Sequence, residues 1–108
     1  MVKLFYKDAY LGTLNFDDNG FVYNSNLIGE ANAVDKYFLN VTNYNLFGSK
    51  NKTSKVIFKF FEDMANQVCS RPDLVKALKI TSADTQFDVL QKLGKIKQSE
   101  FGFWIANN

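Results

Sequence analysis

The chain has no histidine, one cysteine (Cys69) and one proline (Pro72) in 108 residues. Without histidine there is no Ser-His-Asp or Cys-His nucleophile, no histidine general base, and no imidazole to ligate a metal. A single cysteine cannot close an internal disulfide, and with scattered carboxylates it does not make a zinc site; a reducing cytoplasm fits best. Neither GxxxxGK[ST] nor GxGxxG occurs, so no phosphate-cradling loop is signalled. No apolar run reaches the roughly 18 residues of a membrane span. Charges from Lys3 onward make "MVKLFYKDAYLG" unlike a secretory signal. The expectation is a cytoplasmic protein that is not an enzyme, holds no cofactor or metal, and does not partner a membrane.

Aromatic side chains are plentiful: eleven Phe, five Tyr and one Trp, in a composition that is 46% hydrophobic. That suffices for one core, so residues 1–108 read as a single domain, with some aromatic excess available to a partner surface. Thirteen basic against eleven acidic residues leave a net charge of +2, too balanced to argue for nucleic acid by itself.

Residues 2–7, "VKLFYK", set Val2, Leu4 and Tyr6 against Lys3, Phe5 and Lys7, the period of a strand. A tight turn at Asp8-Ala9 leads into "YLGTLNF", and Asn19-Gly20, both tolerant of positive φ, marks a hairpin into "FVYN". Residues 2–23 therefore predict a three-stranded antiparallel meander. "NSNLIGEANAVDK" suggests a turn of helix, and "YFLNVT" at 37–42 suggests a fourth strand. "NYNLFGSKNKTSK" reads as a lysine-bearing loop. Ser54 is placed to cap a helix over about 56–67, with Ile57, Phe60, Phe61, Met64 and Val68 at helical spacing. Ser70, with Pro72 and Asp73, marks the next helix start; Thr81 with Asp84 marks a third. Gly94 suits a left-handed C-terminal stop, and "EFGFWIA" at 100–106 closes as a strand. The fold class is α+β: an antiparallel sheet, meander plus later strands, carrying three short helices.

The order of these pieces resembles the N-terminal subdomain of HipA-type serine/threonine kinase toxins, which also occurs as the free-standing HipS-like small protein of three-gene versions of that system. "LFYKDAYLGTLNFDDNGFVYN" is similar to the family's opening hairpin, with Gly12 and Leu14 in register. "FFEDMANQVCSRPDLVKALKITSADTQFDVLQKLGK" is similar to its helical stretch, on which Phe60, Phe61, Arg71, Ile80, Asp84 and Gly94 fall in order, and "EFGFWIA" to its closing strand. The chain departs from the family at residues 65–68, Ala-Asn-Gln-Val in place of Leu-Pro-Glu-Gly, and at Cys69, where an aromatic residue often stands. The ATP and magnesium ligands of the kinase core have no counterpart here. The resemblance implies an antitoxin or regulatory subunit that docks on a HipA/HipT-like kinase, in company with a helix-turn-helix HipB-like protein.

Other readings stay open. A lone copy of the fold could be a phage- or mobile-element-encoded decoy interfering with host defence. The 50–59 stretch, Lys50, Lys52, Lys55 and Lys59 interleaved with Phe58 and near Tyr44, could bind nucleic acid, although a solvated loop is the plainer reading. The preferred partner surface is the 66–71 junction, Asn66, Gln67, Cys69 and Arg71, with Lys50 and Lys52 nearby and Trp104 as a further anchor. Cys69 is a candidate reactive thiol at a helix N-terminus, although with no partner base a half-buried structural cysteine is the plainer reading. Asp17 and Asp18 read as turn solvation.

Overall fold

The structure, a computed structural model, describes residues 1–38 and 53–107. The elements are β1 (Val2–Tyr6), β2 (Ala9–Asp17), β3 (Gly20–Ser25), α1 (Leu27–Tyr37), β4 (Thr53–Ser54), α2 (Lys59–Cys69), α3 (Pro72–Ala77), α4 (Gln86–Leu93) and β5 (Phe103–Ala106). Among the described residues they make an α+β fold: a five-stranded antiparallel sheet in the order β4-β3-β2-β1-β5 and four helices.

The predicted meander is present, with its turns displaced by one residue. Lys7 and Asp8 form the first turn, Lys7 at φ 52, and Ala9 is already a buried strand residue. Asp18 and Asn19 form the second, and Gly20 opens β3 at φ 113. Any Cβ on Gly20 would lie 2.4 Å from the carbonyl oxygen of Ser54, so both the φ and the closeness of β4 require glycine there.

Between Leu4 and Phe5 the pairing of β1 with β2 slips, Leu4 facing Gly12 and Phe5 facing Tyr10. The extra residue on β2 reverses its alternation. Ala9 and Leu11 point to the core before the slip, Gly12 and Leu14 after it. One sheet face thus carries Val2, Leu4, Leu14, Tyr23 and Ile105, each at most 2% exposed, and the helices lie over it. The other carries Phe5, Tyr10 and Trp104, with the Phe5 and Trp104 rings stacked at 4.2 Å and 9°.

The helix layer departs from expectation in several places. The suggested turn of helix is the three-turn α1, begun by Asn26, whose side-chain oxygen accepts the Gly29 N–H at 2.8 Å. Gly29 lets α1 lie on the sheet, since a Cβ there would overlap the Tyr10 carbonyl. At the first two positions of the strand foreseen at 37–42 the chain is not extended: Tyr37 ends α1 and Phe38 caps it with φ 57, while 39–42 lie outside the described residues. Ser54 is a strand residue opposite Phe21 and not a cap; α2 begins after Phe58. Ser70 donates its hydroxyl to the Gln67 carbonyl at 2.7 Å and leaves Arg71 at the start of α3, with Pro72 in the first turn.

The third start lies one signal later than expected. Asp84 does accept the Thr81 N–H at 2.8 Å, but the box that opens α4 is Thr85 with Asp88. Gly94 stays right-handed at φ −66, so conformational freedom is not why it is glycine. A Cβ would stand 2.6 Å from the Asn107 nitrogen, whose N–H donates to the Gly94 carbonyl at 3.0 Å. The closing strand is shortened to 103–106, because Glu100 and Phe101 turn outward.

Candidate functional site

Two apolar stripes climb α2. Phe61, Ala65 and Val68 are spaced four and three apart and face the sheet, at 0%, 0% and 4% exposure. Phe60, Met64 and Gln67 repeat the same spacing one position earlier, and that offset turns them about 100° around the helix. They line an open groove of about 630 Å³ with Val68, Arg71, Leu74 and Leu93. The far wall is the chain after α4, Ile96 to Ser99, and Phe103 of β5 closes the end. The Phe60 and Phe103 rings meet edge-on at 5.1 Å and 76°, forming part of the floor. This size lies within the roughly 300–1,000 Å³ of ligand and anchor pockets.

Gln98 holds that far wall. Its amide nitrogen donates to the Leu93 carbonyl at 3.0 Å and to the Ile105 carbonyl at 2.7 Å, while its oxygen accepts the Ile105 N–H at 3.2 Å. The side chain thus pairs with β5 as a further strand would, occupying the sheet edge at Ile105. One residue both fixes the groove and blocks strand addition at that point.

Two of the three charged groups of the groove are tied to neighbours. Asp63 pairs with Lys59 at 3.2 Å, one turn away on α2. Arg71 pairs with Asp73 at 2.8 Å, and its guanidinium holds the Asp73 carboxyl below the usual carboxylate range. Lys97 is exposed and, among the described residues, pairs with no carboxylate. No group of three or more Cys, Asp or Glu side chains among the described residues could hold a metal ion. No helix among them is long and apolar enough to cross a membrane.

Of the residues singled out from sequence, Gln67 and Arg71 share this groove. Asn66 and Cys69 are exposed on the flank of α2. Cys69 is the last residue of α2, not the first of a helix, and it is exposed rather than half-buried. Trp104 belongs elsewhere: it is half-buried on the opposite sheet face and donates its indole N–H to the Lys7 carbonyl at 2.7 Å. Lys50 and Lys52 lie outside the described residues. Phe58 is 5% exposed and Lys59 is engaged by Asp63, so Phe58 has no free ring face on which a base could stack.

No protein-family model matches the chain. Nor does any curated protein or any solved structure.

Phe60, Met64, Lys97, Gln98 and Phe103 complete the groove and escaped the sequence reading as site residues. Phe60 and Met64 were visible as apolar positions at helical spacing, and the signal overlooked was that α2 has two such stripes. For Gln98 no signal existed, because its partners are backbone groups of Leu93 and Ile105.

Proposed function

We propose that this chain is a non-catalytic binding protein that docks on a HipA-like serine/threonine kinase and restrains it as an antitoxin or regulatory subunit. The observation that carries the docking is the second stripe of α2. Phe60 and Met64 stay half-buried in an open groove although the same helix has already supplied Phe61, Ala65 and Val68 to the core. Half-exposed aromatic and methionine side chains in a walled groove, ringed by polar groups, are what an anchor-in-groove interface uses. The choice of a kinase rests on the family resemblance of the sequence. The mechanism asks for no chemistry from this chain: a partner segment seated in the groove holds the domain against the kinase, and inhibition is steric.

The test is co-expression with any HipA-like kinase encoded beside its gene, followed by size-exclusion chromatography and an autophosphorylation assay. The expected result is a stable complex with suppressed phosphorylation, lost on combined substitution of Gln67, Cys69 and Arg71 with the domain still folded. A kinase that neither binds nor slows would overturn the reading.

A further inference from the structure

The groove's electrostatics select the character of its occupant. Between Arg71 and Lys97 the chain carries six basic and three acidic side chains, while the remainder carries seven basic and eight acidic. The positive excess therefore lies in α3, α4 and the chain that follows them, which face α2 across the groove; α2 itself sets Lys59 against Glu62 and Asp63. All three acids of that stretch are engaged: Asp73 by Arg71, Asp84 by Lys92 at 2.7 Å, and Asp88 by the Thr85 N–H at 3.0 Å. Lys95 and Lys97 flank Ile96, which with Lys97 forms part of the wall, and both are exposed. The carboxylate that lines the groove, Asp63, already faces Lys59.

We infer that the groove receives an acidic segment of a protein partner, which seats one bulky apolar side chain against Phe60, Met64 and Phe103 and sets its carboxylates against Lys97 and the neighbouring Lys95. This rests on the docking reading above and adds the chemistry of what docks. The apolar floor supplies affinity; the lysines supply orientation and rule out basic segments by like-charge repulsion. A polynucleotide would satisfy the lysines but not the floor. Met64, Val68, Leu93 and Ile96 are aliphatic or thioether surface, and the edge-to-face contact of Phe60 with Phe103 already occupies one ring face.

The test is a titration of the full chain, followed residue by residue in a nitrogen–proton NMR spectrum, with defined probes. These are a short amidated helical peptide with two leucines one turn apart among glutamates, its lysine counterpart, its counterpart with alanine for leucine, and a thymidine oligonucleotide. The glutamate–leucine peptide is expected to shift Met64, Leu93, Lys97 and Phe103. Its affinity should fall with added salt and drop about tenfold in Lys97→Glu, as for a rim charge that orients a partner, and remain unchanged in Lys3→Glu on the far sheet face. Both control peptides should bind more weakly. Equal binding of the lysine peptide, shifts confined to other surfaces, displacement by the oligonucleotide at the same residues, or no shifts at all would each overturn the inference. The two readings fail separately. Kinase binding undiminished by Lys97→Glu would leave the docking subunit and remove the acidic segment. Absence of kinase binding, with the acidic peptide still seated in the groove, would do the opposite.

Discussion

Phe61 and Phe60 are neighbours in sequence, sit on the same helix and touch each other edge-on at 5.4 Å and 88°, yet their environments differ. Phe61 is wholly buried between the sheet and α4, within reach of Tyr23 at 6.2 Å. Phe60 is half-buried beside Phe103 and faces the groove. The stripe that contains Phe61 is used up by folding; the stripe that contains Phe60 is left over. An apolar arc wider than the sheet can cover is what distinguishes a helix that only stabilises from one that also presents a surface.

The sharpest way to break this comparison is to truncate both rings. Phe61→Ala should destabilise by about 3–5 kcal/mol, because the cavity lies in a closed core. Phe60→Ala should cost less than half as much, since its site already opens to water. Urea unfolding of the two variants decides it, and equal losses would show that the groove stripe is core after all. The wall across from Phe60 should come next in size. Gln98→Ala leaves the Ile105 N–H and carbonyl without their Gln98 partner, the Leu93 carbonyl keeping the Ile96 N–H, for a loss of about 1–3 kcal/mol, and should speed amide exchange at Ile105 selectively. Met64→Ala, on the groove stripe, should shift stability by about 1 kcal/mol or less while weakening partner binding, which separates the two roles of α2 by calorimetry.

The smallest effect is in acid. Lys92 and the Thr81 N–H hold the Asp84 carboxyl below the usual range. A carboxyl whose folded pKa is lowered stabilises the fold above its ordinary value of about 4, and that contribution is lost as pH falls through the folded value. Asp84→Asn should therefore be less stable at neutral pH and show a shallower acid limb below about pH 4. The Phe60 and Phe61 variants should keep the wild-type acid limb, because neither ring titrates.

The sheet was legible because its signals are local. The alternation in "VKLFYK" and the turn residues of "DDNG" act within a few bonds of where they take effect, and β1 to β3 follow from them. Misreadings arose where distant groups decide. Ser54 has the side chain of a cap, but pairing with Phe21 across the sheet holds it in a strand. Thr81-Asp84 and Thr85-Asp88 carry the same signature; only the second opens a helix, and Asp84 is instead engaged by Lys92. Gly94 was foreseen for a left-handed stop and is glycine because β5 ends against it. Of the seven residues named from sequence as a partner surface, Gln67 and Arg71 line the groove, while Trp104 alternates onto the other sheet face and is held by the Lys7 carbonyl.

The amino-acid sequence by itself determined the α+β class, the meander and the apolar positions of α2, because periodicity and turn chemistry are properties of neighbouring residues. Only the tertiary structure decided which stripe of α2 is core and which is groove. That choice depends on where β5, the Gln98 amide and Phe103 stand relative to the helix, and these are brought there by pairings of β5 with β1 that join opposite ends of the chain.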